Sequence, residues 1–398
     1  MMNVWNVVRG WKPNLLVRIV IAIVVGVLVG WVAPVWMARV VDTFNGLFSE
    51  FLGFCIPLII LGFVAPAIAE VGAKAGKMLI ATALLAYIFT FLSGLLGYGV
   101  GDWLYPDMIE TMPVEQTIDG VKVTPYFSIA MQPLFGVTSA LLLAFVIGLG
   151  CAKVDSKFLT GLLDEFRSII IFVIEKGIIP LLPVYIFSIF LKMTMEGSVG
   201  SVLITFGSII GIIFALHILL LITQFSIAAP FSPCSKNPLK LLKTMLPAYL
   251  TALGTQSSAA TIPVTLNSTI KLGVNPDVAG FTVPLCATIH MSGSALKLTS
   301  CAVALMIMQG QVYDISLFIG FIAMLGVTLV ASPGVPGGSV MAALGLFSSI
   351  LGFSEADCAL MIALYIAMDS FGTACNVTGD GAISIIISRI FSKSAKVE

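Results

Sequence analysis

The chain has 398 residues, of which 59% are hydrophobic and 10% are charged, and its formal net charge is zero. Polar side chains are too few to cover the surface of a water-soluble protein of this length, so the composition indicates an integral membrane protein. Its apolar runs are long and uninterrupted, which predicts an all-α membrane protein and excludes a membrane β-barrel. Because the net charge is zero, it gives no indication of a nucleic-acid partner, and none is predicted.

Six apolar runs in the first part of the chain are long enough to span a bilayer, at about 20 residues per span. They lie near residues 14–36, 44–69, 77–104, 127–151, 166–192 and 200–229. Arg9, Lys12 and Arg18 precede the apolar stretch from Ile19 to Val35 in the first run, as in a signal anchor. Because further spans follow it, we expect it to remain in the mature protein.

Beyond residue 239 the apolar runs are interrupted by polar residues, glycine and proline. The clearest interruptions are "GTQSSAATIPVT" at 254–265 and "VASPGVPGGSV" at 330–340. Unwound backbone at membrane depth is tolerated only where protein or a watery cavity satisfies its amide groups. The two stretches therefore predict two re-entrant helical hairpins around a site, in addition to eight transmembrane helices.

Basic residues predict the orientation of the chain in the membrane, because cytoplasmic loops are rich in lysine and arginine. With alternating spans, one side collects Arg9, Lys12, Lys74, Lys77, Lys153, Lys157, Lys236, Lys240, Lys243, Arg389, Lys393 and Lys396. We expect that side, and both termini, to be cytoplasmic. The seven cysteines are scattered singly without metal-like spacing, so we interpret them as small hydrophobic residues.

A polar stripe lies in the last apolar segment. Asp369, Thr373, Asn376 and Asp380 are spaced by four, three and four residues, which places their side chains on one helix face. An ionisable group in a span is costly unless it meets a partner or water, so the stripe predicts a substrate or ion site. The alternative is that these groups only hold helices together.

Each hairpin tip offers groups that such a site needs. Ser257 and Ser258 supply hydroxyl and amide donors at the start of a helix, where the helix dipole favours a carboxylate. The "GVPGG" tip at 334–338 leaves carbonyl and amide groups free and allows hinge motion. A plain kink is the alternative interpretation of the second tip, since glycine and proline are frequent in membrane helices.

The segment "TIHMSGSALKL" at 288–298 interrupts another span and contains His290 and Lys297. A single histidine in a helix is more often a hydrogen-bonded packing residue than a titrating one. Lys297 is too deep in its apolar run to reach the membrane surface, so it is expected to pair with Asp369 or Asp380.

In this order, the six spans, serine-rich hairpin, broken seventh span, Gly/Pro hairpin and last span with "NVTGD" resemble the dicarboxylate/amino acid:cation symporter family, which includes the glutamate transporters. The likeness covers essentially the whole chain. It implies a homotrimer of elevator-type transporters in the inner (plasma) membrane. The implied scaffold is 1–73 and 127–199, and the implied transport domain is 74–126 and 200–398.

The resemblance also implies site residues. Asp369 matches the aspartate that binds the amino group of the substrate, while Asn376 and Ser258 match groups that bind its α-carboxylate. The other implied substrate contacts are Ser257, Ser294, Val335, Gly338, Ser339, Gly372 and Thr373. One or two sodium sites are implied, and no organic cofactor. Asp380 and Asn376 match one sodium site, the carbonyls of Thr288 and of the tip around Ser332 match another, and Cys286 and His290 are further candidate ligands.

The chain departs from the acidic-substrate members of this family at three positions. Their arginine three residues after the aspartate is Gly372 here, the arginine that other members place before the hairpin serines is Gln256, and a bracing aspartate is Tyr365. With no cation in its place locally, a second substrate carboxylate would stay unpaired at a cost of about 3–5 kcal/mol. A neutral amino acid is therefore predicted, with hydroxyl contacts from Ser294 and Ser339.

The family sequence "NMDGT" is "HMSGS" here, at 290–294. Ser292 thus replaces an aspartate that helps to hold a third sodium ion, and we predict that this site is lost, although Tyr87 and Thr90 loosely match its other ligands. The hypothesis for Lys297 is that its ammonium stands in for a missing cation and balances Asp369 or Asp380.

These observations predict a secondary active symporter that couples uptake of serine, threonine or alanine to sodium. Proton coupling, an acidic amino acid or dicarboxylate, and larger neutral substrates such as cystine, methionine or glutamine remain open alternatives, and an ion channel is the alternative of another class. An enzyme is not predicted, because Asp369 and Asp380 lie about 16 Å apart by helical rise, too far to share a proton.

Overall fold

The computed structural model describes residues 15–73, 77–109, 123–154, 156–197, 199–330, 332 and 337–391, and within these ranges its regular structure is entirely helical. The first half forms α1 (Leu15–Gly30), α2 (Val35–Ala73), α3 (Lys77–Leu104), α4 (Val137–Val154), α5 (Lys157–Val173), α6 (Ile179–Met195) and α7 (Val199–Ala228). A five-residue π-helical segment, Ile174–Ile178, joins α5 to α6. The second half forms α8 (Pro238–Thr255), α9 (Ser258–Lys271), α10 (Pro276–Ile289), α11 (Ser292–Met308), α12 (Ile315–Val330), α13 (Gly338–Ile350), α14 (Glu355–Ala367) and α15 (Asp369–Phe391).

Capping residues start several of the second-half helices. The Asn237 side chain accepts a hydrogen bond from a backbone amide in the first turn of α8, and Asn275 does the same for α10. A proline follows each asparagine, at a position where its missing N–H group leaves no bond unmade. Ser354 and Asp357 form a reciprocal capping box at the start of α14.

Five helical segments in the described part of the chain are long and apolar enough to cross a membrane: Val35–Pro66, Lys77–Asp107, Lys157–Met195, Val202–Phe231 and Pro276–Met308. The pair α14 and α15 makes a sixth if it is counted as one bent span. The predicted all-α class with several spanning helices is therefore confirmed. The number of eight transmembrane helices and the re-entrant nature of the hairpins stay predictions.

One of the predicted spans differs from the structure. The helix expected from residue 127 begins only at Val137, because the preceding backbone bonds to side chains of α2: the Tyr126 amide donates to Thr43 Oγ1 at 2.9 Å and the Met131 amide to Glu50 Oε2 at 2.8 Å. Pro133 also lacks the amide that a helix would use. The last span is bent by 63° between α14 and α15.

Of the five apolar segments, the one that contains α10 and α11 is the most buried. Every residue of α11 is buried inside the protein. The final helix, α15, contacts α7, α8, α9, α10 and α11. The polar stripe of α15 is thus surrounded by protein.

Close approach of α3 and α11 depends on Gly97, where an added Cβ would lie 2.6 Å from the carbonyl oxygen of Leu296. Since the clashing atom is backbone, we expect Gly97→Ala to lower the free energy of unfolding by about 1–3 kcal/mol. Thermal unfolding in detergent measures the loss. Gly99→Ala is the matched control on the same helix, because its Cβ would meet nothing within 4 Å. Equal melting temperatures for the two variants would contradict the prediction.

Candidate functional site

Four interruptions of the helical structure meet at one cavity. They are the α8–α9 turn, the α10–α11 break, the start of α13 and the α14–α15 break. Gln256 ends α8 with a φ of +55°, and Ser257 caps α9 by accepting from the Ala260 amide at 3.2 Å. Gly337, with a φ of +77°, precedes α13 in a conformation that glycine adopts without strain. The starts of α9 and α13 are thus each preceded by a residue suited to that position, Ser257 and Gly337.

The cavity is small, with a volume of about 30 Å³. It brings together six predicted substrate residues: Ser258, Ser294, Ser339, Asp369, Thr373 and Asn376. Gln256, Ala287, Met291 and Tyr365 complete its lining. Hydroxyl and amide groups thus supply most of its polar surface.

Three other predicted substrate residues that the structure describes do not line this cavity. Ser257 acts as the α9 cap, and Gly338 is buried in the first turn of α13. Gly372 lies against Lys297, as described below. Val335 lies outside the described residues, so its predicted contact stays a prediction.

Asp369 holds together three parts of the site. Its Oδ1 atom lies 3.2 Å from Lys297 Nζ, and its Oδ2 atom accepts from the Gly337 amide at 2.9 Å. Lys297 is completely buried, and its ammonium also stands 3.4 Å from the centroid of the Tyr365 ring. Of the two partners expected for Lys297, the structure shows Asp369.

Gly372 changes the interpretation of the missing arginine. A Cβ on Gly372 would lie 2.7 Å from Lys297 Nζ and 2.9 Å from Lys297 Cε. The absence of a side chain on α15 therefore makes room for an ammonium from α11. The expectation that no cation replaces the arginine locally is wrong. The spacing of residues along the sequence does not show that Lys297, which is distant in sequence, fills the space beside Gly372.

Asn376 fastens the start of α11. Its Oδ1 atom accepts from the amides of Gly293, at 2.7 Å, and Ser294, at 3.3 Å. Its side-chain nitrogen donates to Ser294 Oγ at 3.1 Å. These bonds satisfy backbone donors that have no partner inside α11.

A second polar cluster surrounds Asp380. The Nδ1 atom of His290 lies 2.9 Å from Asp380 Oδ1 and 3.1 Å from the Asn376 carbonyl oxygen. Its Nε2 atom lies 2.6 Å from Ser292 Oγ. All three side chains in this cluster, His290, Asp380 and Ser292, are buried. Both ring nitrogens of His290 are thus hydrogen-bonded, as expected for a packing histidine.

Sequence reasoning missed two features of this cluster. His290 and Asp380 are 90 residues apart, and no local spacing signals their contact. Gln224 of α7 is also buried, and neither of its side-chain amide atoms has a hydrogen-bond partner within the described structure. An added Cβ on Gly379 would lie 2.5 Å from both Gln224 Oε1 and His290 Cε1. The missing side chain at Gly379 thus leaves room for the side chains of Gln224 and His290.

The side-chain oxygens assigned to the first sodium site already take part in hydrogen bonds. Asp380 Oδ1 lies 2.9 Å from His290 Nδ1, and Asn376 Oδ1 accepts from two backbone amides. Asn376 Oδ1 therefore has little acceptor capacity left, whereas the Asp380 carboxylate keeps acceptor sites for a cation. In the part of the chain that is described, no group of three or more His, Cys, Asp or Glu side chains is arranged to hold a metal ion.

The residues assigned to the second sodium site have local hydrogen bonds. The Thr288 hydroxyl donates to the Leu285 carbonyl at 2.7 Å, and the hydroxyls of Ser332 and Ser339 are 3.3 Å apart. Cys286 is completely buried, and its carbonyl accepts from the His290 amide at 2.8 Å. Backbone carbonyls at helix ends are typical sodium ligands in transporters. The assignment of these residues to a second sodium site stays a prediction.

The residues that loosely match the third sodium site are engaged elsewhere. Tyr87 donates to the Ala323 carbonyl at 3.0 Å, and Thr90 Oγ1 accepts from the Met291 amide at 3.2 Å. Ser292 bonds to His290. The loss of this site stays a prediction.

Comparison with known proteins identifies the family. The sodium:dicarboxylate symporter family matches residues 15–390 of the chain. The chain is also similar to two proteins named serine/threonine transporter SstT, from Acinetobacter baumannii strains AYE and AB0057. Each is 25% identical over 392 residues, which cover 93% of this chain and 95% of the relative. With a match across nearly its whole length, the chain belongs to the sodium:dicarboxylate symporter family, whose members are secondary transporters of the membrane and not enzymes.

Proposed function

We propose that the protein is a symporter that couples uptake of a small amino acid of zero net charge to sodium, with serine, threonine and alanine as the first candidates. The charge balance of the cavity carries this proposal. Asp369 is the one carboxylate among the described lining residues, and Lys297 balances it. A zwitterion keeps the site neutral, whereas a dicarboxylate would leave a desolvated charge without a partner.

The lining offers a partner for each end of a zwitterion. Asp369 faces the cavity and has acceptor capacity beyond the bonds to Lys297 and Gly337, so it suits the ammonium group. The amino-terminal end of α9 at Ser258 suits the carboxylate, because free amides and the helix dipole favour negative charge. The hydroxyls of Ser294 and Ser339 suit a small polar side chain.

One further observation supports a small neutral substrate. The relatives from Acinetobacter baumannii are named serine/threonine transporters. Within this proposal, sodium is cargo that binds near Thr288 and Ser332.

The proposed cycle is an elevator movement in a homotrimer with both termini in the cytoplasm. Residues 1–73 and 127–199 form the scaffold, and residues 74–126 and 200–398 form the transport domain. The bond from the Gly337 amide to Asp369 links the start of α13 directly to the carboxylate that we propose binds the substrate ammonium. Substrate and sodium together would favour the closed tip. If the domain moves only when the tip is closed, substrate and sodium cross the membrane together, which is symport.

Transport into proteoliposomes tests the proposal. At fixed pH, we expect serine or threonine to accumulate above its external concentration with an inward sodium gradient, and not when choline replaces sodium. Excess alanine should compete, whereas aspartate and succinate should not. Stronger competition by aspartate or succinate would support the acidic-substrate alternative, and entry without accumulation would support a channel.

Proton coupling is the second candidate mechanism, because a histidine and a carboxylate meet in the buried pair His290 and Asp380. The same proteoliposomes test it. Serine accumulation driven by an inward proton gradient in sodium-free buffer would establish proton coupling, and its absence would favour sodium.

A further inference from the structure

We propose that Lys297 is a tethered counter-ion that keeps the substrate site electrically neutral when it is empty, so that the carrier returns across the membrane without a counter-transported cation. This inference rests on the proposed symport function and deepens it. It concerns the return half of the transport cycle, in which the carrier crosses the membrane without substrate or sodium.

The ammonium of Lys297 is fixed by several contacts. It lies 3.2 Å from Asp369 Oδ1, 3.5 Å from the Met368 carbonyl oxygen and 3.4 Å from the centroid of the Tyr365 ring. Opposite charge, a carbonyl at a helix break and an aromatic face all favour a cation at this point. Gly372 leaves the space that the ammonium occupies.

The position of Lys297 separates it from the substrate. Asp369 and Tyr365 line the cavity, whereas Lys297, which contacts both, is not among the described lining residues. A substrate can therefore bind and leave without displacing the ammonium. The ion pair belongs to the loaded and the empty site alike.

The charge of the empty site decides how easily it crosses the bilayer. After cargo release, an isolated Asp369 would be a buried charge without a partner, which is strongly unfavourable in a membrane. Such a carboxylate would need a cation from solution for the return. The pair of Asp369 and Lys297 has zero net charge whichever of the two holds the proton, so no such cation is needed.

Comparison of net uptake with exchange isolates the return step. Net uptake into empty proteoliposomes requires the unloaded carrier to recross, whereas exchange against internal serine does not. In Lys297→Met, we expect the ratio of net uptake to exchange to fall by more than about tenfold, because removal of one partner leaves a buried charge uncompensated. Wild-type protein sets the reference ratio.

Lys192→Met is the matched control. Lys192 pairs with Asp42 at 3.0 Å between α6 and α2, in the proposed scaffold, which does not cross the membrane during transport. This variant also loses a lysine from an ion pair, and its ratio of net uptake to exchange should equal that of the wild type. An equal fall in both lysine variants would overturn the inference.

A second variant covers the case in which Lys297→Met does not fold. Lys297→Gln retains hydrogen-bond donors toward Asp369 but lacks the charge, and its ratio should fall in the same way. A wild-type ratio in a folded Lys297 variant would show that the lysine is only structural. Failure of wild-type protein to transport serine, threonine or alanine would instead count against the proposed function, so the two failures are distinguishable.

Discussion

Asp369→Asn is expected to lower serine uptake by at least about a hundredfold and the free energy of unfolding by about 3–5 kcal/mol. The carboxylate is 5% exposed and pairs with a lysine that is completely buried. Asparagine preserves the shape and one acceptor atom, but it leaves the charge of Lys297 without compensation. It also removes the proposed partner of the substrate ammonium, so binding and stability should fall together.

Asp42→Asn provides the comparison for this prediction. Its partner, Lys192, has a side chain that is 32% exposed, so water compensates part of the lost charge. Thermal unfolding in detergent should therefore show a smaller loss than for Asp369→Asn. Added serine should raise the melting temperature of Asp42→Asn and of wild-type protein, but not that of Asp369→Asn. A serine response in Asp369→Asn would contradict the assigned role.

The features predicted correctly from the sequence are those set by local patterns. The all-α membrane class follows from long apolar runs, and the stripe on α15 follows from spacings of three and four residues. The start of α9 follows from Ser257, a favourable capping residue. A carboxylate partner for Lys297 follows from the cost of an isolated ammonium in a buried segment, and that argument holds whatever the fold.

The features that the sequence did not predict depend on contacts between distant segments. The sequence alone indicates a lost charge at Gly372, yet its space holds an ammonium from another helix. The contact of His290 with Asp380 joins α15 to the break before α11, which no periodicity links. The bend at Met368 has no proline or glycine within three residues before it, so the usual helix-breaking residues do not signal the break.

The position of the site cation offers a route to altered specificity. The resemblance implies that in the acidic-substrate members an arginine projects from the helix whose aspartate matches Asp369. Here the cation is Lys297, which comes from α11 and lies behind the Asp369 carboxylate. We expect the double variant Gly372→Arg with Lys297→Met to bind aspartate in preference to serine. The methionine is flexible and uncharged, so it can yield space to the introduced guanidinium.

The two single variants show why both changes are needed. Gly372→Arg alone places its Cβ 2.7 Å from the ammonium of Lys297 and adds a like charge, so we expect it to be inactive. Lys297→Met alone removes the cation without offering a new one. In the double variant, the ratio of aspartate to serine affinity should rise by about a hundredfold or more, because a second carboxylate gains a desolvated partner.

Competition of aspartate and serine for binding measures this ratio in each variant. An active double variant that still prefers serine would mean that the guanidinium does not reach the cavity from position 372. Preference for aspartate in Lys297→Met alone would show instead that Lys297 suppresses acidic substrates without any need for an arginine. A switch confined to the double variant is the expected result, because the net charge of the site stays zero while its cation moves from behind Asp369 to a side chain on α15 that can pair with a second carboxylate.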